Sequence, residues 1–180
     1  MGRELVIGVS GGIAAYKAAA LVSQLVQNGA EVSVVMTEAA HQFIGATTFQ
    51  ALTGRPVASD MFAAEDRPLG AHIEFAEGAD LLCVAPATAN ILAKAASGLA
   101  DDLLSTLLLS FSGPILFAPA MNCDMWAKPA VQRNVQTLTG DGYHFVGPDE
   151  GWLSCRKRGH GRMASPDAIA SAIEKILGDR

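Results

Sequence analysis

Apolar residues gather into short runs separated by segments of helical spacing. Four runs, Glu4 to Val9, Glu31 to Met36, Asp80 to Ala85 and Ile115 to Ala118, have the near-continuous apolar character of strands buried on both faces. Between the first two, Ala14 to Gln27 carries apolar residues at a period near 3.6 and ends at Asn28-Gly29, a helix stop signal. Strand, helix and strand joined by short connections predict a right-handed crossover and parallel pairing. Further helices are expected from Thr37-Glu38-Ala39-Ala40 and over Ala89 to Gly98, Asp102 to Ser110, Val131 to Thr139 and Pro166 to Leu177, with a fifth short strand at Tyr143 to Val146. This alternation predicts one doubly wound α/β domain over residues 1–180, a parallel sheet flanked by helices with its ligand at the carboxyl ends of the strands. The segment after Glu65 and the stretch from Gly147 to Met163 lack periodicity and are expected as mobile loops.

Composition narrows the class. Half of the 180 residues are hydrophobic and 17% are charged, a low charged share that implies surface covered by further copies of the chain. A net charge of −5 with dispersed cations argues against general nucleic-acid binding; the one basic cluster is Arg156-Lys157-Arg158. Cys83, Cys123 and Cys155 have no C-x-x-C spacing and an odd count, which supports neither a metal knuckle nor a disulfide framework. No apolar run is long enough to span a bilayer, and the chain enters its first strand without a basic region and cleavage site, so a cytoplasmic protein without a membrane partner is expected.

Three turns at one edge of the sheet carry candidate chemistry. The first, Gly8-Val9-Ser10-Gly11-Gly12-Ile13, brings glycine backbone and a helix N-terminus to where a phosphate would sit. It lacks the G-x-G-x-x-G spacing; it does spell G-x-S-x-G, but without the preceding strands and later acid and histidine of a hydrolase elbow, so Ser10 reads as a phosphate or ring contact. The second, Ala85-Pro86-Ala87-Thr88-Ala89-Asn90, reads as an ordinary helix cap or as part of the same ligand edge. With Asp102-Leu103-Leu104-Ser105-Thr106 these form small, hydroxyl-bearing loops suited to one phosphate and a flat ring. Pro119-Ala120-Met121-Asn122-Cys123-Asp124-Met125-Trp126 looks like the wall of a pocket that is part greasy and part hydrogen-bonding, with Trp126 as packing. His72 reads on its own as a half-buried histidine in a loop, and His41, His144 and His160 have no partner spacing for a metal or a triad.

Ser10-Gly11-Gly12, Gly70-Ala71-His72-Ile73, Pro86-Ala87-Thr88-Ala89-Asn90, Pro119-Ala120-Met121-Asn122 with Met125-Trp126, and Cys155 followed by Gly159-His160-Gly161-Arg162-Met163 resemble the homo-oligomeric FMN-containing cysteine decarboxylases. That family includes phosphopantothenoylcysteine decarboxylase of coenzyme A synthesis and the peptidyl-cysteine decarboxylases of lantibiotic-type natural products. The resemblance runs over almost the whole chain. It implies a Rossmann-like, flavodoxin-like flavoprotein, assembled as trimers or a dodecamer of trimers, with FMN at subunit interfaces. It further implies that Ser10, Gly11, Gly12, Ile13, Thr37, Phe43, Pro86, Ala87, Thr88, Asn90, Ser105 and Ala120 hold the cofactor.

The implied reaction oxidises the cysteine β-carbon to a thioaldehyde, which accepts the electrons left when CO2 departs and yields an enethiol. In it His72 is the catalytic base for the thiol proton, Asn122 grips the carboxylate without a full opposing charge, and Met121 and Met125 shape the pocket. Cys155 matches the cysteine that, in the coenzyme A enzyme, donates a proton as the enethiol is reduced to a saturated thiol. Against that branch, Arg156-Lys157-Arg158 replaces the glycine and acidic residue usual after this cysteine, and the chain is expected to stand without the ligase to which many bacterial members are fused. The sequence expectation is therefore a C-terminal peptide cysteine as substrate, with phosphopantothenoylcysteine as the alternative and a regulatory flavin-binding subunit as a third reading.

Overall fold

The computed structural model describes residues 2–62 and 70–178. Residues 63–69, on which the expected loop after Glu65 largely falls, lie outside the described residues. The described elements are β1 (Glu4–Val9), α1 (Ala15–Gln27), β2 (Glu31–Met36), a 3-10 turn (Glu38–Gln42), α2 (Ala46–Thr53), α3 (Ala71–Gly78), β3 (Leu81–Ala87), α4 (Ala89–Ser97), α5 (Leu103–Ser110), β4 (Ile115–Pro119), α6 (Cys123–Trp126), α7 (Pro129–Gly140), β5 (His144–Phe145), β6 (Asp149–Trp152), β7 (Arg158–Arg162) and α8 (Pro166–Gly178).

The sheet order is β2-β1-β3-β4-β5, every pair parallel, with Ile7 opposite Val34 on one side and Cys83 on the other. Because side chains alternate along a strand, Leu5, Ile7 and Val9 pack with Ala18, Leu21 and Leu25 of α1 and Ile169 and Ile173 of α8. Val6, Leu82, Val84 and Phe117 face the other way, onto Phe75 of α3, Ile91 of α4, Leu104 and Leu107 of α5 and Leu138 of α7. Two buried layers on one sheet are the expected doubly wound architecture, and the winding direction reverses between β1 and β3. Gly8 is needed there: a Cβ on it would lie 2.5 Å from Leu104, so glycine lets α5 seat on the sheet.

Four local expectations are corrected. The stretch from Gly147 to Met163 contains an antiparallel hairpin, β6 with β7, in which Trp152 pairs with Arg158. Its base is anchored: the Met121 N–H donates to the Gly161 carbonyl at 2.9 Å, and the Lys17 ammonium on α1 reaches the Met163 carbonyl at 3.3 Å. Burial, then the nearby Arg162 charge, holds Lys17 below the ordinary lysine range despite Asp149. The helix expected from Thr37 is a 3-10 turn, His72 lies in the first turn of α3 rather than in a loop, and β5 is shorter than expected. Among the described residues no helix is long and apolar enough to cross a membrane.

The α5 start is secured by a capping box. Asp102 accepts the Ser105 N–H at 2.8 Å, while the Asp102 N–H donates to the Ser105 hydroxyl at 3.1 Å. Lys94 on α4 donates to both Asp101 and Asp102 at 2.6 Å. Burial alone would raise the Asp102 pKa, but the hydrogen bonds from Lys94 and Ser105 outweigh it and leave the carboxyl below its ordinary value. Asp102→Ala is expected to cost about 1 to 2 kcal/mol at neutral pH in urea unfolding, the range of a lost cap. Since the folded-state pKa is depressed, this stabilisation is complete above the ordinary aspartate value of about 3.9 and is lost as pH falls through the lower folded value. The gap between wild type and variant should therefore close only in acid.

Candidate active site at the switch point of the sheet

Ser10, at the end of β1, is 2% exposed. Its hydroxyl donates to the Pro86 carbonyl at 2.7 Å, accepts the Thr88 N–H at 3.1 Å and lies 3.1 Å from the Thr88 hydroxyl. The hydroxyl is thus spent on joining the β1–α1 turn to the β3–α4 turn. The serine braces the edge from within, and a ligand contact through Ser10 would share its hydroxyl with this link. Ser105 is buried and its hydroxyl takes part in the α5 cap.

The remaining cofactor candidates lie around this link. Gly11 sits under the 3-10 turn, where an added Cβ would come within 2.4 Å of Ala39 Cβ and 2.7 Å of its backbone carbon. Gly12 is open, with only the Thr88 methyl at 3.5 Å. Thr37 donates its N–H to Val9, but its buried hydroxyl has no hydrogen-bond partner. Ile13 and Phe43 are 57% and 49% exposed, Ala87 is buried, Thr88 caps α4, and Asn90 is exposed in the first turn of that helix. Ala120 joins β4 to this edge through its N–H to the Ala87 carbonyl at 3.0 Å.

Asn122 follows directly. Its side-chain oxygen accepts the Asp124 N–H at 2.7 Å, so the carbonyl end is fixed and the NH2 end remains as a donor. Met121 is half-buried and Met125 is 46% exposed, while the Trp126 carbonyl is held by Gln132 at 2.6 Å. Cys155 is exposed at the hairpin tip, in a three-residue turn closed by Leu153 N–H to Lys157 O and Arg156 N–H to Leu153 O, both 2.9 Å. Arg156 holds the left-handed position of that turn, φ 61°, a place that favours glycine. Cys83 is buried and its thiol is pushed up to about 12, which removes it as a nucleophile.

The structure does not bring His72 to this edge. Its recorded partner is the Ser110 hydroxyl, which donates to the His72 carbonyl at 3.5 Å at the last residue of α5. Eight residues of helix place that end about 12 Å from the Asp102 cap. The His72 Nδ1 is buried without a hydrogen-bond partner. The ring rests against Gly70, whose φ of 92° admits the turn into α3. A separate cleft of about 730 Å³ between β5 and α8, lined by His144, Phe145, Lys175 and Ile176, contains no candidate site residue.

The flavoprotein family model matches residues 1–178. FMN-dependent cysteine decarboxylase SpaF, solved by crystallography, is 36% identical with a TM-score of 0.86, over 98% of this chain and 96% of that one. The chain belongs to the flavoprotein family, among the FMN-dependent cysteine decarboxylases. A PPC decarboxylase mutant complexed with pantothenoylaminoethenethiol is 28% identical with a TM-score of 0.88, over 99% of this chain and all of that one. The coenzyme A biosynthesis bifunctional protein CoaBC of Bacillus subtilis (strain 168) is 49% identical over 98% of this chain, which spans 44% of that relative. FMN is the family's cofactor, and the residues present fit such a group: an unpartnered buried Thr37 hydroxyl, open backbone at Gly12, and exposed apolar side chains at Ile13 and Phe43.

The two adjacent glycines differ in what they tolerate. Gly11→Ala is expected to lower stability by about 1 to 3 kcal/mol, because the methyl must displace the 3-10 turn. Gly12→Ala should melt within about 0.5 kcal/mol of wild type. Thermal and urea unfolding of the two variants check the contrast.

Proposed function

We propose that this chain decarboxylates phosphopantothenoylcysteine. The observation that carries the reading is the 49% identity, over nearly the whole chain, to a coenzyme A biosynthesis protein. It favours the alternative raised from the sequence over the peptide cysteine first preferred there. The complex of pantothenoylaminoethenethiol with a PPC decarboxylase mutant adds that an enethiol fits a fold of this kind.

Bound FMN would supply the two-electron acceptor that lets the carboxylate leave as CO2. The Asn122 NH2 donates to the substrate carboxylate; being neutral, it orients the group without the charge pairing that would stabilise it against loss of CO2. The His72 imidazole takes the thiol proton. Cys155 returns a proton when the enethiol regains its two electrons, so the net change is loss of CO2 alone. His72 meets the last residue of α5, whereas Gly8, two residues before Ser10, meets Leu104 in the first turn of that helix, which supports a site completed by His72 of a second copy in a homo-oligomer.

The test is incubation of the flavin-loaded protein with phosphopantothenoylcysteine and mass analysis of the product. Loss of CO2 alone is expected from wild type. Cys155→Ser should release a product lighter by two further hydrogens, and His72→Asn should lower kcat by about 100-fold or more. Turnover of cysteine-ended peptides with phosphopantothenoylcysteine ignored would overturn the substrate, and a yellow protein releasing no CO2 from either would point to a binding subunit.

A further inference from the structure

Two segments needed at once in the proposed reaction, the Asn122 turn and the Cys155 tip, are joined by one ion pair. Lys157 Nζ lies 2.6 Å from Asp124 Oδ2. The Asp124 N–H is the group that fixes the Asn122 amide, at 2.7 Å. Lys157 is two residues from Cys155, and its carbonyl closes the hairpin turn by accepting the Leu153 N–H at 2.9 Å.

The hairpin edge follows the Asn122 turn outward in three steps. At the base the Met121 N–H meets the Gly161 carbonyl at 2.9 Å. Midway, a Cβ on Gly159 would sit 3.0 Å from Cys123 Cβ, so strand and turn are in van der Waals contact. Lys157 with Asp124 is the outermost step, beyond which the tip is exposed. The neighbouring cations do not substitute for it: Arg158 reaches Glu150 of its own hairpin at 3.8 Å, and Arg156 has no ion pair among the described residues.

We propose that Lys157 is a positioning residue: its ion pair with Asp124 holds the Cys155 tip over Asn122, so that the enethiol is retained until it is reduced. The inference rests on the roles given above to Asn122 and Cys155. Both side chains are more than half exposed, 57% and 65%, so the pair adds little to global stability and is screened by salt. Its effect is local, a shift between closed and open tip of about two- to fivefold, the range of exposed pairs. The carboxyl of Asp124 is held below its ordinary value by the Lys157 hydrogen bond, as the closed pair requires.

Hydrogen exchange of the flavin-loaded enzyme reads this without turnover. Lys157→Gln and Asp124→Asn should each speed exchange of the 153–157 amides about two- to fivefold. The double variant should do no more than either single one, and Lys157→Arg should behave as wild type. Raising salt to about 1 M should speed exchange in wild type and leave the two neutral variants unchanged. With phosphopantothenoylcysteine, the same variants should raise the ratio of released enethiol to saturated thiol by a similar factor. Unchanged exchange, additive effects in the double variant, or faster exchange with an unchanged product ratio would overturn the proposal. If wild type releases no CO2, the function reading falls, and the coupled exchange alone decides whether the pair holds the tip.

Discussion

A buried hydroxyl makes one surface out of two turns. In a doubly wound sheet the helices after β1 and β3 leave toward opposite faces, which opens a crevice between the two strand ends. Ser10 spans that crevice, donating to Pro86 and accepting from Thr88. Each bond alone adds about 1 kcal/mol, but a serine this deeply buried would be costly if either turn moved away and left it unpaired. The separation of the two turns is therefore fixed from within. The open backbone at Gly12, the Thr37 hydroxyl and the Thr88 cap take their spacing from it.

The sheet was legible because its strands are buried on both faces, and that leaves a run of apolar residues no other element of four to seven residues produces so plainly. The hairpin left no such trace. Asp149–Trp152 and Arg158–Arg162 are built largely of charged residues and glycine, and they are held by backbone pairing and by the Asn122 turn rather than by an apolar face. The turns that carry the candidate site residues were legible, but what each side chain touches was not. Ser10 and Ser105 have the small hydroxyl side chains of ligand contacts and of helix or turn braces alike, and only their partners separate the two. Sequence reasoning also passed over Lys94 and Asp124; an aspartate two residues past Asn122 and a lysine eight before Asp102 signal nothing until the fold brings partners to them.

The basic run Arg156-Lys157-Arg158 shows how composition misleads where geometry does not. From the sequence it departs from the pattern usual in the coenzyme A branch and suggests a surface for a different substrate. In the fold the three cations have three different environments. Lys157 meets Asp124, Arg158 faces Glu150, and Arg156 occupies the left-handed turn position next to Cys155. A left-handed arginine carries a backbone cost of about 1 to 2 kcal/mol that glycine would avoid, so the turn keeps its shape against some strain. The run is then compatible with the same hairpin geometry that glycine would allow, and it ceases to argue for a peptide.

The distribution of exposed apolar side chains bears on how such a site would be completed. Ile13 and Tyr16 stand out beside the glycine turn, and Leu109 stands out beside the end of α5 that meets His72 of α3. Both places are thus bordered by apolar surface that water solvates poorly. A chain that is half hydrophobic and 17% charged has little polar surface to spare for covering both. On the reading proposed above, packing one copy's α3–α5 face against another's glycine turn would bury both patches and bring His72 to the strand ends in a single step. Association and catalysis would then depend on the same contact, and a change at Leu109 or Tyr16, neither of which the reaction uses, would be felt in turnover as well as in assembly.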